Sequence, residues 1–438
     1  MNSLPIAIIG GGPVGMAAAA HLAQRQQPFI LLEKGDSVGA SVWKWRHVRL
    51  FSAWEFNVDR AAAELLTQSG WQFPDKNVLP TGEALITEYL LPLSRLPQIK
   101  PFIITGADVK SIHRKDMDKM KTLGRDSVPF EIVFETSGEM RRIEASAIID
   151  STGTWNTPNP IGASGDFAEG EQQLSAHVYY GIQDTSNAQD GRYVGKSIAV
   201  VGSGHSAINT ILELHQLQLL NPDTEIHWIL RKSASETYGG GEADDLPARG
   251  ELGQRVKTLV EQGKVRVHTP FLVQKLQQAG NQVSLIGTLN GVEYTLPGID
   301  EIVVNTGARP DFTFLRELRY QADPALESVP ALADLIDPNI HSCGTVRPHG
   351  EFELRQPEKN LYIVGSKSYG RAPTFLMATG YEQVRSVAAA LAGDWNAARQ
   401  VELKLPETGV CKVGGPASDS SCCGIPVQIQ LKTKSTCC

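Results

Sequence analysis

Two glycine-rich turns constrain what this chain can fold into. The first, Gly10-Gly11-Gly12-Pro13-Val14-Gly15, follows the apolar run Ile6-Ala7-Ile8-Ile9. The second, Gly202-Ser203-Gly204-His205-Ser206-Ala207, follows Ile198-Ala199-Val200-Val201. Four successive apolar residues read as a strand buried on both faces, as in a parallel sheet. The glycines permit a tight turn into a helix whose N-terminus offers backbone N–H groups and the positive dipole end to an anion. That spacing is the one that cradles a dinucleotide pyrophosphate, and its third small residue is Gly15 in one copy and Ala207 in the other.

The flanking residues carry the reading further. Glu33 ends the run Phe29–Glu33, 21 residues after Gly12, where a carboxylate accepts from a ribose hydroxyl. In the second unit the corresponding run, Glu225–Leu230, ends on Arg231 and Lys232, cations that suit a 2′-phosphate and hence NADPH. Strands are predicted at Asp108–Ile112, Phe130–Phe134 and Ala147–Asp150, the last running into Ser151-Thr152-Gly153. Glu301–Val304 runs likewise into Asn305-Thr306-Gly307. Beyond it, Leu361–Gly365 reads as a buried strand and Pro373–Leu391 as a helix, returning the chain to its first unit. The expected fold is α/β with two Rossmann-like domains. A first domain spans 1–165 and resumes at 313–402, the second (166–312) is inserted into it, and 403–438 form a flexible tail.

Composition limits the partners. The 438 residues carry a net charge of −7 and 41% hydrophobic residues, so a soluble two-domain protein is expected and nucleic acid or an anionic membrane is not. No apolar run approaches a membrane span, and the N-terminus lacks the basic region of a signal peptide, which points to the cytoplasm. One cysteine, Cys343, lies in the body; Cys411, Cys422, Cys423, Cys437 and Cys438 fall in the last 28 residues. Vicinal cysteines suit a soft metal(loid) ion or thiol exchange better than a scaffold of disulfides. A tail of Gly, Ser, Pro and Thr has little to bury, and from Cys411 to Cys423 it spans up to about 40 Å when extended.

With both fingerprints and both Thr-Gly turns in place, residues 4 to about 395 resemble the NADPH-dependent flavoprotein monooxygenases with two dinucleotide-binding domains. The resemblance implies that Gly10, Gly12, Gly15 and Glu33, with Pro13, Val14 and Lys34 beside them, hold the ADP half of FAD. It implies a glycine–tryptophan segment at Gly39 and Trp43, a backbone contact to adenine at Val109, and flavin-side turns at Thr152-Gly153 and Gly365. Gly202, Gly204, His205, Ser206, Ala207, Arg231 and Gly307 are the implied NADPH set. The stretch from Leu361 through Ser366-Lys367-Ser368-Tyr369-Gly370 to Arg385, with the cysteine tail, is similar to flavoproteins encoded beside arsenic or heavy-metal resistance functions. The chain departs from the monooxygenase pattern between its domains: Phe167 and Gly170 are followed by His177 at a longer spacing. Ser366 and Lys367 stand where many relatives carry an acid, and no arginine of the Baeyer–Villiger type is identified.

The implied reaction takes hydride from NADPH to FAD. One oxygen atom of O2 then passes, through a flavin C4a-(hydro)peroxide, to sulfur, nitrogen or a trivalent metalloid in a small substrate. The cofactor carries the hard chemistry, so no catalytic side chain is assigned. Two alternatives stay open: a flavin-dependent disulfide or metal(loid) reductase using the tail cysteines, and a non-catalytic redox or metal-binding sensor. A homodimer is compatible with either enzyme.

Several side chains have two readings. Trp43, Trp45 and Trp54 form either core or a cofactor wall. Asn57 either donates to the flavin or closes a turn, and His177, with Tyr179 and Tyr180, either contacts a cofactor or packs between domains. His341, Cys343 and His349 do not match a zinc spacing.

Overall fold

The same series of parts is laid down twice. The computed structural model describes residues 4–185, 191–232, 247–340 and 346–403, with backbone alone at 247–250. In the first pass β1 (Ile6–Ile9), helix α1 (Pro13–Gln24), β2 (Phe29–Leu32) and β3 (Ile103–Ile104) are followed by an antiparallel meander. That meander is β4 (Asp108–Arg114), β5 (Phe130–Thr136) and β6 (Glu139–Ala145), after which β7 (Ala147–Asp150) closes the unit. The chain crosses through β8 (Val178–Tyr180) into the second pass: β9 (Ser197–Val201), α3 (His205–Leu220), β10 (Glu225–Ile229), α4 (Pro247–Glu261) and β11 (Arg266–His268). A second meander, β12 (Phe271–Ala279), β13 (Gln282–Leu289) and β14 (Val292–Ile299), precedes β15 (Glu301–Val304). The return strand is β16 (Leu361–Ile363), followed by α5 (Met377–Leu391); α2 (Arg60–Gln68) lies between β2 and β3.

Each unit is built on a five-stranded sheet, ordered β16-β7-β1-β2-β3 in one and β11-β10-β9-β15-β8 in the other, with all pairs parallel. The two fingerprint strands, β1 and β9, are therefore central in their sheets. β1 and β7 are buried at every position, which is why they read as unbroken apolar runs and not as alternations. β16 pairs with β7 across more than two hundred intervening residues, so the chain does return to the first sheet after building the second.

Small residues set the packing of the first unit. Ala17–Ala20 of α1 are wholly buried, together with Val384, Val387 and Ala388 of α5, in one core with Ile6–Ile9. In the second unit Ile198, Val200 and Trp228 pack against α3 and α4, while Val201, Ile229 and Val304 pack against Phe271, Val273 and Leu285 of the meander. The sequence reading of the last helix is corrected at its start. Gly365–Tyr369 form a 3-10 turn, and the α-helix begins at Met377, beyond the Pro373 that was expected to open it. No helix among the described residues is long and apolar enough to cross a membrane.

Candidate functional site

At the end of β1, Gly10 has φ +101°, and a Cβ there would lie 2.9 Å from the Ser151 carbonyl oxygen. A Cβ on Gly15 would lie 1.9 Å from the Gly10 oxygen, so these two glycines let α1 sit against the strand end. Gly12 has a different role: nothing lies within 4 Å of where its Cβ would be. It is also the N-cap of α1, and no side chain caps that helix. By contrast, Asp59 caps α2 by accepting the Ala62 N–H at 2.9 Å. An uncapped first turn facing open space leaves its donors for an anion, which fits a dinucleotide pyrophosphate.

Glu33 lies just past β2 and is drawn into the same cradle. Its Oε2 accepts the Gly11 N–H at 2.6 Å and its Oε1 the Gly35 N–H at 2.8 Å. Burial raises its pKa above the usual carboxylate value, and the two amide hydrogen bonds oppose that shift. Gly39, with φ +74°, donates its N–H to the Gly11 oxygen at 2.9 Å, and Trp43 donates in turn to the Gly39 oxygen. Trp43 itself is 45% exposed, with the Arg46 guanidinium 5.5 Å from its ring centre. Lys34 pairs with Asp108 at 3.2 Å, beside the half-buried Val109.

The exits of β7 and β16 form a second part of this site. Asp150 accepts both the N–H and the O–H of Thr152, and Gly153 follows at φ +67°. Lys367, wholly buried, donates to Asp150 Oδ2 at 2.6 Å and to Thr152 Oγ1 at 3.1 Å. Its ammonium also lies 4.5 Å from the Phe314 ring centre and 5.1 Å from that of Phe312. Gly365 adjoins Val14 of α1 and gives its N–H to Gln383 Oε1 at 2.7 Å. Gln383 Nε2 donates to Ser368 Oγ and to His349 Nε2. Burial lowers the pKa of His349, consistent with a neutral ring whose Nδ1–H reaches the Arg347 oxygen. The Asp150–Lys367 pair and the Gln383–His349 chain escaped the sequence reading. The one available signal was a lysine where relatives place an acid.

The second cradle repeats the first. Gly202 has φ +134°, and its Cβ would fall 2.2 Å from the Asn305 oxygen; Gly204 faces open space and caps α3 with no side chain. Ala207 is buried at the position of Gly15, and His205 and Ser206 occupy the first helical turn. Strand register pairs Ile9 with Leu32 and Val201 with Ile229, so Arg231 lies one residue beyond the place equivalent to Glu33. It is exposed, with Nη1 3.3 Å from the Ala163 oxygen. The Thr306-Gly307 turn is bound to Asn159, which accepts through its backbone oxygen from Thr306 Oγ1 and donates its N–H to the Gly307 oxygen. The buried Oδ1 atoms of Asn159 and Asn305 have no hydrogen-bond partner, as expected where a ligand completes the site.

Other candidates resolve into structural roles. Asn57 spends both amide hydrogens on the Ser52 and Ala53 oxygens, so it closes a turn. Trp54 is core. His177 donates or accepts at the Asp300 oxygen and precedes β8, at the sheet end opposite the cradle. The longer spacing after Gly170 accommodates Glu171, which is buried and accepts from Ile161 N, Ala168 N and Tyr180 Oη. His349 is already hydrogen-bonded through both nitrogens. Cys343, His341 and the five tail cysteines lie outside the described residues, among which no cluster of metal-binding side chains occurs.

The profile of the pyridine nucleotide-disulphide oxidoreductases matches residues 7–332. The chain belongs to that family. It is an oxidoreductase, and its homologues and structural neighbours are FAD- and NADP(H)-dependent. A ferredoxin–NADP reductase of Lacticaseibacillus paracasei is 23% identical over 320 residues, 73% of this chain and 77% of that protein. Bacillithiol disulfide reductase Bdr of Bacillus cereus superposes with a TM-score of 0.65 at 19% identity, covering 90% of this chain and 99% of that one. The cadaverine monooxygenase DfoA of Erwinia amylovora superposes with a TM-score of 0.62 at 12% identity, covering 96% and 100%. The fold thus serves both reductases and monooxygenases, and family membership leaves the reaction to be argued from this chain's residues.

Proposed function

We propose that the protein is an NADPH-dependent flavoprotein monooxygenase that transfers one oxygen atom of O2 to a soft nucleophile: sulfur, nitrogen or a trivalent metalloid. The observation that carries this reading is a pair of uncapped glycine cradles in a body almost without cysteine; Cys343 is the single one before Cys411. A reductase of the dithiol type needs a thiol pair beside its flavin, whereas oxygen transfer needs none. In this reading the α1 cradle and Glu33 hold FAD, and the α3 cradle and Arg231 hold NADPH. FAD, when bound, supplies hydride acceptance and reaction with O2. The balance is NADPH, O2, a proton and substrate giving NADP+, water and oxygenated substrate. The protein's part is to bind both ring systems, orient them and exclude water.

The arsenic connection, a cytoplasmic site of action and a homodimer belong to this proposal. The first rests on the resemblance over 361–385 and on the cysteine tail. A second reading, disulfide or metal(loid) reduction through the tail, is favoured by those five cysteines and by the superposition on bacillithiol disulfide reductase. Anaerobic reduction by NADPH and NADH, followed by aerobic turnover with arsenite, thiols and amines, separates the two. Monooxygenation predicts substrate-stimulated oxygen uptake that survives conversion of all five tail cysteines to serine; a reductase loses turnover in that variant and consumes no stoichiometric oxygen. Arg231→Ala is expected to reduce the NADPH-over-NADH preference about 10- to 100-fold, the range for a hydrogen bond to a charged group.

A further inference from the structure

The two units also meet along a cavity of about 670 Å³ that contains none of the cradle glycines. The segment 47–51 and Leu79 form one wall; α3 and α4 form the other. Its volume lies within the range of small-molecule sites. The apolar surface comes from Leu50 and Phe51 on the first unit and Leu212 on the second. Phe51 also places the cavity near the second cradle, its ring centre 5.6 Å from that of His205.

Two features point to a polar ligand. Both ring nitrogens of His47, which lines the cavity, are buried without a hydrogen-bond partner. An imidazole always carries at least one donor, so these atoms lose their water on folding and gain nothing in return until a ligand supplies a partner. The charges are the second feature. Arg49, Glu213, Glu251 and Arg255 line the cavity, and none of them forms an ion pair among the described residues. Arg49 donates to the Leu79 oxygen, and Glu213 accepts one hydroxyl from Thr185. A simple anion would satisfy the arginines and face the glutamates; a simple cation would do the reverse. All four are exposed and hydrated in the free protein, so they select a ligand more than they require one, and a molecule bearing both charges matches both pairs.

We propose that this cavity is a binding site, distinct from both coenzyme cradles, for a small amphipathic zwitterion of about dipeptide size. Its carboxylate pairs with Arg49 and Arg255, its ammonium with Glu213 and Glu251, its peptide group supplies the hydrogen-bond partner that His47 lacks, and its apolar side chains lie on Leu50, Phe51 and Leu212. Such a ligand touches both units at once. The site is made of protein side chains alone and does not depend on which reaction the flavin performs.

The test is calorimetric titration of the full-length, flavin-loaded protein, saturated with NADP+ so that both cradles are filled. The probes are L-leucyl-L-leucine, its N-acetyl form and its C-terminal amide. The dipeptide is expected to bind one per chain, with each capped form at least 10-fold weaker. Arg255→Gln and Glu213→Gln, both exposed positions where the fold is not at stake, should each weaken binding at least 5-fold while flavin content stays unchanged. Absence of binding at millimolar dipeptide, equal binding of the capped forms, or unchanged binding by both variants overturns the proposal.

Discussion

Lys367 and Asp150 are 217 positions apart in the sequence and wholly withdrawn from solvent, with the ammonium 2.6 Å from a carboxylate oxygen. Asp150 in turn holds the Thr152 N–H and O–H, so the pair fixes the turn that leads to Gly153. Lys367→Met removes one charge and leaves the other buried and uncompensated, which costs about 3–5 kcal/mol. A thermal melt of that variant should fall well below the parent's. Adding Asp150→Leu should recover a large part of the loss, because it removes the stranded charge; a single variant that melts like the parent refutes the pairing argument. Glu33 poses a subtler case, since both its oxygens accept amide hydrogens. Glu33→Gln puts an NH2 where one of those N–H groups points, leaving a buried donor unmet at a cost of about 1–3 kcal/mol. The expected result is protein purified with less FAD and a weaker FAD dissociation constant, measured by flavin fluorescence after reconstitution.

At the scale of the element, the glycines of each cradle divide into those that shape the turn and those that clear space. Gly15→Ala drives a methyl to within 1.9 Å of the Gly10 oxygen and should separate α1 from β1, lowering yield and melting temperature. Gly12→Ala and Gly204→Ala meet nothing within 4 Å, and both residues have extended, negative φ, so these variants should fold normally. They should nonetheless lose coenzyme selectively: the Gly12 variant its FAD, the Gly204 variant its NADPH affinity with FAD retained. A folded, flavin-replete Gly12→Ala protein would remove the first cradle from the FAD site. These elements were legible in the sequence because each follows a local rule: apolar run, glycine turn, helix, apolar run, acid or cation. The start of α5 was not. Pro373 suggested a first helical position, but the segment Gly365–Tyr369 winds into a 3-10 turn closed internally by Ser368 and tied by the Gly365 N–H to Gln383, a partner 18 residues on that no local rule identifies.

Across the whole molecule, what could not be read from the sequence is what joins distant segments. Glu358, on the return segment, accepts from Arg114 Nε at 2.8 Å, Arg125 Nη2 at 2.7 Å and the Arg319 N–H at 3.0 Å, all buried or partly so. No spacing rule links residues 114, 125 and 358. His227 and His268 behave likewise: they stack across β10 and β11 with a nitrogen–nitrogen distance of 3.0 Å. Both groups make stability depend on pH in the same direction. Burial, then His227 and Arg266, push the His268 pKa down from 6.5 to about 4. The folded protein keeps this ring neutral while the unfolded chain binds a proton below pH 6.5, so stability falls as pH drops from about 6.5 to about 4. Burial alone would raise Glu358, but its hydrogen bonds to Arg125 and Arg114 outweigh that and hold its pKa below the usual 4.5. Its contribution is complete above the unfolded-state value and disappears as pH falls through the lower folded one. Melting temperature should therefore be level from pH 8 to 7, decline from about 6.5, and drop more steeply below 4.5. His268→Gln should flatten the first decline. Glu358→Gln should lower the melting temperature throughout the level region, where the lost carboxylate leaves two buried guanidinium groups with backbone acceptors but no counter-charge, and should blunt the second decline. If the slope between pH 6.5 and 4.5 is the same in the His268 variant and the parent, the stacked histidine pair is not its source.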